Sequence, residues 1–229
     1  MFSLKPLFAR LPMARSTRAY AFGLERLPPL PPGPVLDLGA GQGYGTAFLS
    51  RALPQRQVVG VDITYRCLKP QRLAFGPRRP WFVQASAPYL PFRARAFALA
   101  TAVMTFHCLP EPERVFREVF RVLRPGGVFL LADVDGRHWI APWFERVEHW
   151  FGISPLTRAY PPEEIEGLAR AAGFLPPKTA RRKARGFMVW YFLQKPGALG
   201  GESPSRTARE AEAYENSGEG RASATTSST

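Results

Sequence analysis

A glycine-rich turn between an apolar pair and a helical run constrains the fold of this chain more than any other feature. Residues Asp37 to Tyr44 read Asp-Leu-Gly-Ala-Gly-Gln-Gly-Tyr, after Val35-Leu36 and before the helical run Thr46 to Leu53. Alternate glycines permit backbone angles closed to other residues and let a ligand approach the main chain. The helix behind them begins with free N–H groups. The segment predicts a buried strand, a ligand-binding turn and a helix, with Asp37 pointing into the crevice.

The spacing of the glycines excludes two common nucleotide-binding turns. A dinucleotide fingerprint needs Gly-x-Gly-x-x-Gly or Ala, but its last position is Tyr44 when counted from Gly39 and Thr46 when counted from Gly41. A P-loop is excluded because no Gly-Lys-Ser or Gly-Lys-Thr follows. What remains is an acid followed by three glycines at alternate positions.

Further apolar runs predict the next strands. Val58 to Asp62 is a β-branched run that ends in an acid about twenty residues beyond the glycines, where the second strand of a βαβ unit would present an acid to ribose hydroxyls. Trp81 to Gln84 and Phe97 to Val103 predict a third and a fourth strand.

A helix and a fifth strand follow. Pro112 starts the helix, apolar residues recur at helical spacing, and Pro125-Gly126-Gly127 ends it before the buried run Val128 to Asp133. Phe187 to Leu193 is a dense last strand. Strands and helices thus alternate through this part of the chain.

These motifs resemble one family. Asp37-x-Gly39-x-Gly41-x-Gly43 resembles motif I of class I S-adenosylmethionine-dependent methyltransferases. Leu90-Pro91-Phe92 and the run Glu118 to Gly127 resemble its small-molecule branch, methyltransferase type 11, which includes the ubiquinone/menaquinone-biosynthesis enzymes. The resemblance spans roughly residues 35–196. It implies an α/β, Rossmann-like, seven-stranded sheet, mostly parallel with an antiparallel last strand beside the fifth, and helices on both faces.

The resemblance also implies an S-adenosylmethionine site. Its glycines would pass under the methionine part of the cofactor, Asp37 would lie near the ammonium and Asp62 at the ribose. Ser86 stands where the family usually has an acid for the adenine, and Ala98 replaces another common acid. These two departures from the family pattern are consistent with a lower affinity for the cofactor. The implied cofactor residues are Asp37, Gly39, Ala40, Gly41, Gly43, Asp62, Ile63, Ser86, Ala87 and Thr101.

An aromatic segment after the fifth strand is the candidate acceptor pocket. Residues 137–151 hold three Trp, two Phe and two His, and ligands of open α/β sheets bind outside the carboxyl ends of the strands. We expect His138, Trp139 and Trp143 to line the pocket. The alternative is plain helix packing through Trp143, Val147 and Trp150, which share a helical face.

Methyl transfer mainly requires that acceptor, methyl and sulfur are aligned and that water is excluded. An oxygen or nitrogen acceptor would also benefit from a base. His107, directly after the fourth strand, is the first candidate, followed by Tyr160, His138 and His149. No metal-ligand spacing is visible and neither Cys67 nor Cys108 has a metal partner nearby in the sequence, so no metal is expected.

The chain divides into three parts by composition. Residues 1–33 form an N-terminal segment with a lead-in helix from Tyr20 to Glu25 and a stiff Pro-rich linker, and we expect it to cap the cofactor crevice. The resemblance implies that residues 34–196 form the methyltransferase domain. Residues 197–229 are rich in Gly, Ser, Thr, Ala and Glu, so they lack the apolar surface needed to offset ordering entropy and are expected to be a disordered tail.

Charge and cysteine content bear on partners and compartment. The net charge of +13 invites a nucleic-acid partner, but 26 of the 31 basic residues are Arg and they are spread along the chain. Only Lys178 to Arg185 is a true cluster, and a solvated edge strand explains it better. Two cysteines cannot build a disulfide framework, which favours a reducing, cytoplasmic location. No apolar run reaches the length of about eighteen residues that a membrane-spanning helix needs.

The function predicted from these features is methyl transfer from S-adenosylmethionine to a small apolar or aromatic acceptor. Two alternatives use the arginine-rich surface: an RNA-directed methyltransferase, and a non-catalytic cofactor-binding module. The chain lacks an Asn/Asp-Pro-Pro-Tyr/Phe motif, which counts against amino-methylation of bases.

Overall fold

The computed structural model describes residues 11–64, 75–150, 156–181 and 186–197, with side chains from residue 17 onward. Its helices are α1 (Leu11–Leu24), α2 (Tyr44–Ala52), α3 (Pro112–Val122), α4 (Ala141–Trp150) and α5 (Pro162–Ala172), with a 3₁₀ turn at Phe106–Cys108. Its strands are β1 (Val35–Leu38), β2 (Val58–Asp62), β3 (Trp81–Gln84), β4 (Phe97–Val103), β5 (Leu123–Val134), β6 (Lys178–Ala180) and β7 (Met188–Gln194).

The seven strands form one sheet in the order β3-β2-β1-β4-β5-β7-β6. All neighbours from β3 to β5 are parallel, while β7 runs antiparallel to both β5 and β6. The strand order reverses between β1 and β4, and ligands of open α/β sheets bind at such a switch point, beyond the carboxyl ends of the strands. The predicted fold class is confirmed, including the antiparallel last strand.

Helices cover both faces of the sheet because side chains alternate along each strand. Leu36 and Leu38 of β1 face the layer that contains Phe116 of α3 and Ile165 of α5. Val35 faces the opposite layer, with residues of α1 and α2. Asp37 shares the face of Val35 by the same alternation, and this parity decides where its carboxylate lies.

Helix α1 packs on the sheet and is longer than the predicted lead-in helix. The indole Nε1 of Trp190 in β7 donates to the carbonyl of Ala19 over 2.9 Å, and the rings of Phe22 and Trp190 lie 4.5 Å apart. A Cβ at Gly23 would come within 2.7 Å of Leu130, so the helix lies close against β5. The predicted cap over the crevice stays a prediction, and residues 1–10 lie outside the described part of the chain.

Strand β5 begins earlier than predicted. Helix α3 ends at Val122, and the strand runs from Leu123 through the Pro-Gly-Gly segment. This segment is held by the chain after β7: Lys195 N donates to Gly127 O over 2.9 Å. The Nζ of Lys195 also donates to the carbonyls of Phe120 and Leu123 at the end of α3.

Two charged residues of α3 hold the Leu90-Pro91-Phe92 segment. Arg121 donates to the carbonyls of Phe92 and Leu90 over 2.7 and 3.1 Å. Glu118 accepts the Leu90 N–H over 2.9 Å and pairs with Arg121. The two sequence motifs of the small-molecule branch are thus the two halves of one contact.

The part of the basic cluster that the structure describes includes an edge strand. Lys178–Ala180 form β6 at the end of the sheet, with exposed or half-buried side chains. Arg182 to Arg185 lie outside the described residues, and so does the predicted tail beyond Gly197. No helix in the described ranges is long and apolar enough to cross a membrane.

Candidate active site

The glycine turn lies at the carboxyl end of β1, and all three of its glycines have left-handed backbone angles. The φ values are 65° at Gly39, 51° at Gly41 and 83° at Gly43, which other residues adopt only with strain. A Cβ at Gly39 would come within 1.9 Å of Thr105 Oγ1, whereas at Gly41 the nearest atom is the Gly39 carbonyl oxygen at 3.9 Å. Gly41 is therefore the point at which a ligand can approach the backbone.

Asp62 is joined to this turn. Its Oδ2 accepts the Gly41 N–H over 2.8 Å, and its Oδ1 accepts the Thr64 N–H over 2.9 Å. Ile63, the next residue, is 64% exposed. The ends of β1 and β2 thus meet at one place, as the predicted ribose position for Asp62 requires.

The third strand brings the predicted adenine segment to the same edge. Ala85 N donates to Asp62 O over 3.0 Å, which continues the pairing of β2 and β3 beyond the strands. Ser86 is half-buried and Ala87 buried directly after it. Ala40, also predicted for the cofactor, is buried, and its N–H donates to Val61 O. These positions agree with a shared crevice, and the individual cofactor contacts stay predictions.

Asp37 does not point into the crevice, which corrects the predicted contact with the cofactor ammonium. Its carboxylate is fully buried and accepts three hydroxyl groups: Tyr20 and Thr101 on Oδ1 over 2.6 and 2.7 Å, and Thr46 on Oδ2 over 2.7 Å. Burial raises the pKa of this carboxyl, although the three donors oppose the rise. The carboxylate fixes the end of β1 from the α1 and α2 side of the sheet.

Thr101 is likewise no cofactor contact. It is fully buried within β4 opposite Asp37 in the register, and its hydroxyl is engaged with Asp37 and the Leu36 carbonyl. Tyr20 completes the cluster: a Cβ at Gly45 would lie 2.5 Å from its hydroxyl oxygen. Sequence reasoning missed Tyr20 and Thr46 because their partner is set by tertiary packing. One signal was available in the sequence: Asp37 lies two residues after Val35, so both side chains face the same side of the sheet.

Both ring nitrogens of His107 lie next to largely buried carboxylates. It is buried, its Nδ1 lies 2.7 Å from Asp133 Oδ1, and its Nε2 lies 3.2 Å from Glu148 Oε2. Burial lowers the pKa of the imidazole, but the charge of Asp133 and the surrounding hydrogen bonds outweigh it, so the pKa lies well above its usual value. Both ring nitrogens of His107 thus face carboxylates of the protein, and its role as a base stays a prediction.

Tyr160 packs in the core, and its predicted catalytic role stays a prediction. The residue is buried in the core, with its ring 5.2 Å from that of Phe106. Burial raises the pKa of its hydroxyl, so the anionic form that a base requires is disfavoured. The guanidinium of Arg158 lies over the ring at 4.7 Å. Tyr160 therefore packs the turn after β4 against α5.

Cys108 has neighbours that its sequence position did not indicate. His107 Nε2, Cys108 Sγ and Glu148 Oε2 all lie within 4.8 Å of one another. Thr157 donates its hydroxyl to the same Glu148 oxygen over 3.0 Å. Glu148 comes from α4, forty residues along the chain, so the sequence spacing around Cys108 did not reveal this group; the expectation that no metal is bound stays a prediction. Cys67 lies outside the described residues.

The tryptophans after β5 are exposed. Trp139, Trp143 and Trp150 are 81%, 62% and 85% accessible to solvent, so the alternative that helix packing buries Trp143 and Trp150 is wrong. His138 is half-buried, with its ring 5.7 Å from that of Trp139, and His149 is exposed. Their role in an acceptor pocket stays a prediction; Phe151 lies outside the described residues.

Comparison with known proteins agrees with this geometry. Residues 36–131 match a family model described as a methyltransferase domain. The phthiotriol/phenolphthiotriol dimycocerosates methyltransferase of Mycobacterium tuberculosis is 37% identical over 113 residues, which cover 48% of this chain and 40% of that protein. The malonyl-[acyl-carrier protein] O-methyltransferase of Legionella pneumophila is 36% identical over 104 residues, covering 45% and 37%. The chain thus matches well under half of the length of these relatives.

A solved structure matches over more of the chain. An S-adenosylmethionine-dependent methyltransferase from Thermotoga maritima superposes with a TM-score of 0.66 at 21% identity, covering 84% of this chain and 95% of that one. The shared fold and the matched domain imply S-adenosylmethionine as the cofactor. The fold, the matched residues 36–131 and these relatives support a class I S-adenosylmethionine-dependent methyltransferase domain in this chain.

Proposed function

We propose that the chain transfers the methyl group of S-adenosylmethionine to a small apolar or aromatic acceptor. The observation that carries this choice is the exposure of Trp139 and Trp143, which follow the carboxyl end of β5. Large aromatic side chains are normally buried, and exposed ones often mark binding surfaces. Their position beyond the strand ends is where a ligand of this sheet type binds.

The chemistry fits an acceptor that needs little help from a base. The sulfonium of the cofactor is already activated, so the protein contributes alignment and exclusion of water. His107 and Tyr160 are engaged in packing and ion pairs. Of the predicted bases, His138 is half-buried beside Trp139 and stays the candidate for an oxygen or nitrogen acceptor.

The names of the relatives favour a lipid or small-molecule acceptor. One is named for methylation of phthiotriol dimycocerosates and the other for a malonyl group carried by acyl-carrier protein, so they act on lipids or small molecules. Neither name refers to RNA. The basic segment that favoured RNA forms an edge strand over Lys178–Ala180, which accounts for those charges without a nucleic-acid partner.

The test is transfer of a labelled methyl group from S-adenosylmethionine into a cell extract that is then separated into lipid, small-molecule, RNA and protein fractions. We expect label in the lipid or small-molecule fraction, and Trp139→Ala or Trp143→Ala should reduce it while sparing cofactor affinity. Trp81→Ala is the matched control, because Trp81 is 65% exposed but lies at the opposite, amino end of β3. Label confined to RNA, with a steep loss of activity as salt rises, would contradict the proposal.

A further inference from the structure

Three side chains of the types that bind transition metals converge beside the cofactor turn. His107 and Cys108 belong to the 3₁₀ turn that follows β4, and Glu148 projects from α4. Two residues before His107, the hydroxyl of Thr105 lies against Gly39 of the glycine turn. We propose that His107, Cys108 and Glu148 bind a divalent transition metal, and that zinc suits this ligand set best.

The spacing of the ligand atoms fits a tetrahedral ion. Zinc bonds of about 2.0 Å to nitrogen or oxygen and about 2.3 Å to sulfur place N and O about 3.3 Å apart, and S and O about 3.5 Å apart. In the protein, His107 Nε2 lies 3.2 Å and Cys108 Sγ 3.6 Å from Glu148 Oε2. The nitrogen and sulfur atoms also lie within 4.8 Å of each other. A single ion can contact all three atoms with only small side-chain movements.

The surrounding groups are those that orient metal ligands. Metal-binding histidines usually donate their second ring nitrogen to a carboxylate, and His107 Nδ1 lies 2.7 Å from Asp133 Oδ1. The liganding oxygen of Glu148 is held by the Thr157 hydroxyl over 3.0 Å. His107 and Glu148 therefore each have a hydrogen-bond partner that fixes the direction of the side chain. Three protein ligands also leave one coordination position open for water or another ligand.

The local charges favour a cation. The side chains of Asp133 and Glu148 are only 8% and 13% exposed. The backbone N–H of Arg158 donates to the His107 carbonyl, but the guanidinium of Arg158 pairs with Glu164 and not with Asp133 or Glu148. On binding, zinc would take the place of the protons on His107 Nε2 and the Cys108 thiol, which pass to solvent, because metals bind neutral imidazole and thiolate.

Metal binding would connect α4 to the turn after β4. It should therefore stabilise the folded protein, and free zinc at about 100 times its dissociation constant would raise the melting temperature by about 5–11 °C for a chain of this size. This inference does not depend on which acceptor the enzyme methylates.

The experiment uses the full chain without an affinity tag, stripped with a chelator and reloaded with Zn²⁺ or Co²⁺. We expect about one zinc per chain by elemental analysis and a thiolate-to-cobalt charge-transfer absorption in the near ultraviolet. Cys108→Ser should abolish that absorption and weaken zinc binding by at least about tenfold to a hundredfold. Cys67→Ser is the matched control and should keep both.

A readout on the unaltered protein guards against a variant that fails to fold. Zinc should protect Cys108 from alkylation, as mapped by mass spectrometry, and should raise the melting temperature. The absence of stoichiometric zinc after reloading, with unchanged alkylation of Cys108, would overturn the proposal. Equal zinc loss in Cys67→Ser and Cys108→Ser would also overturn it.

Discussion

Replacing Tyr20 with Phe should destabilise the protein although the change removes only one oxygen atom. The hydroxyl donates to the fully buried carboxylate of Asp37 over 2.6 Å. Loss of a hydrogen bond to a charged group costs about 1.5–3 kcal/mol. The phenyl ring stays to fill the space beside Gly45, so no cavity adds to this cost. For a chain of this length, the corresponding fall in melting temperature is about 3–12 °C.

Urea unfolding followed by circular dichroism measures this loss, with Tyr89→Phe as the matched control. Tyr89 is 53% exposed and its ring contact with Arg114 survives the change, so the control should stay within about 0.5 kcal/mol of the wild type. We expect Tyr20→Phe to weaken S-adenosylmethionine binding as well, because Asp37 fixes the end of β1 that leads into the glycine turn. Equal stability of the two variants would refute the role assigned to the Asp37 cluster.

Three further outcomes follow from the site and the chain ends. Asp62→Ala should weaken cofactor binding by roughly ten- to a hundredfold in calorimetry through loss of a charge-assisted hydrogen bond; unchanged affinity would remove Asp62 from the ribose position. The pKa of His107 is raised in the folded state, so its stabilising contribution is complete below the unfolded value of about 6.5 and is lost as pH rises through the folded value. Unfolding free energy should therefore fall on the alkaline side, and His107→Gln should flatten that fall. Deleting residues 197–229 should leave melting temperature and cofactor affinity nearly unaltered, since Leu199 and Tyr214 are the only large apolar residues of this segment; a loss of many degrees would contradict its prediction as a tail.

Local patterns were enough to predict the sheet. The bounds of β2, β3 and β4 agree with the predicted runs, because turn residues bound each short apolar run. The glycine turn was equally clear, since all three glycines have backbone angles that favour this residue. The number of strands and the antiparallel β7 beside β5 came from the family resemblance, which carries topological information that periodicity lacks.

The partners of buried polar groups could not be predicted from local patterns. Asp37 lies near the end of β1 and was predicted to face the ligand. Its carboxylate instead accepts a hydrogen bond from the hydroxyl of Tyr20, seventeen residues earlier. His107 looked like a free base because its two carboxylate partners come from β5 and α4. The role of a charged or polar group in a folded protein depends on its tertiary neighbours. A residue type at the end of a strand therefore indicates a candidate site residue but does not establish what that residue does.

The cofactor site itself is tested most directly by a matched pair of glycine substitutions. Gly41 and Gly126 have similar left-handed angles, φ 51° and 76°, and a Cβ would have no contact within 4 Å at Gly126 and only one, at 3.9 Å, at Gly41. Both changes to Ala should therefore carry a similar backbone cost of about 1–2 kcal/mol. The difference between them is that the Cβ at Gly41 enters the space assigned to the cofactor.

Calorimetric titration of S-adenosylmethionine into the wild type, Gly41→Ala and Gly126→Ala measures that difference. We predict that Gly126→Ala binds the cofactor as the wild type does, while Gly41→Ala loses at least about tenfold in affinity with a similar melting temperature. Equal affinity of the two variants would contradict the placement of the cofactor on the glycine turn.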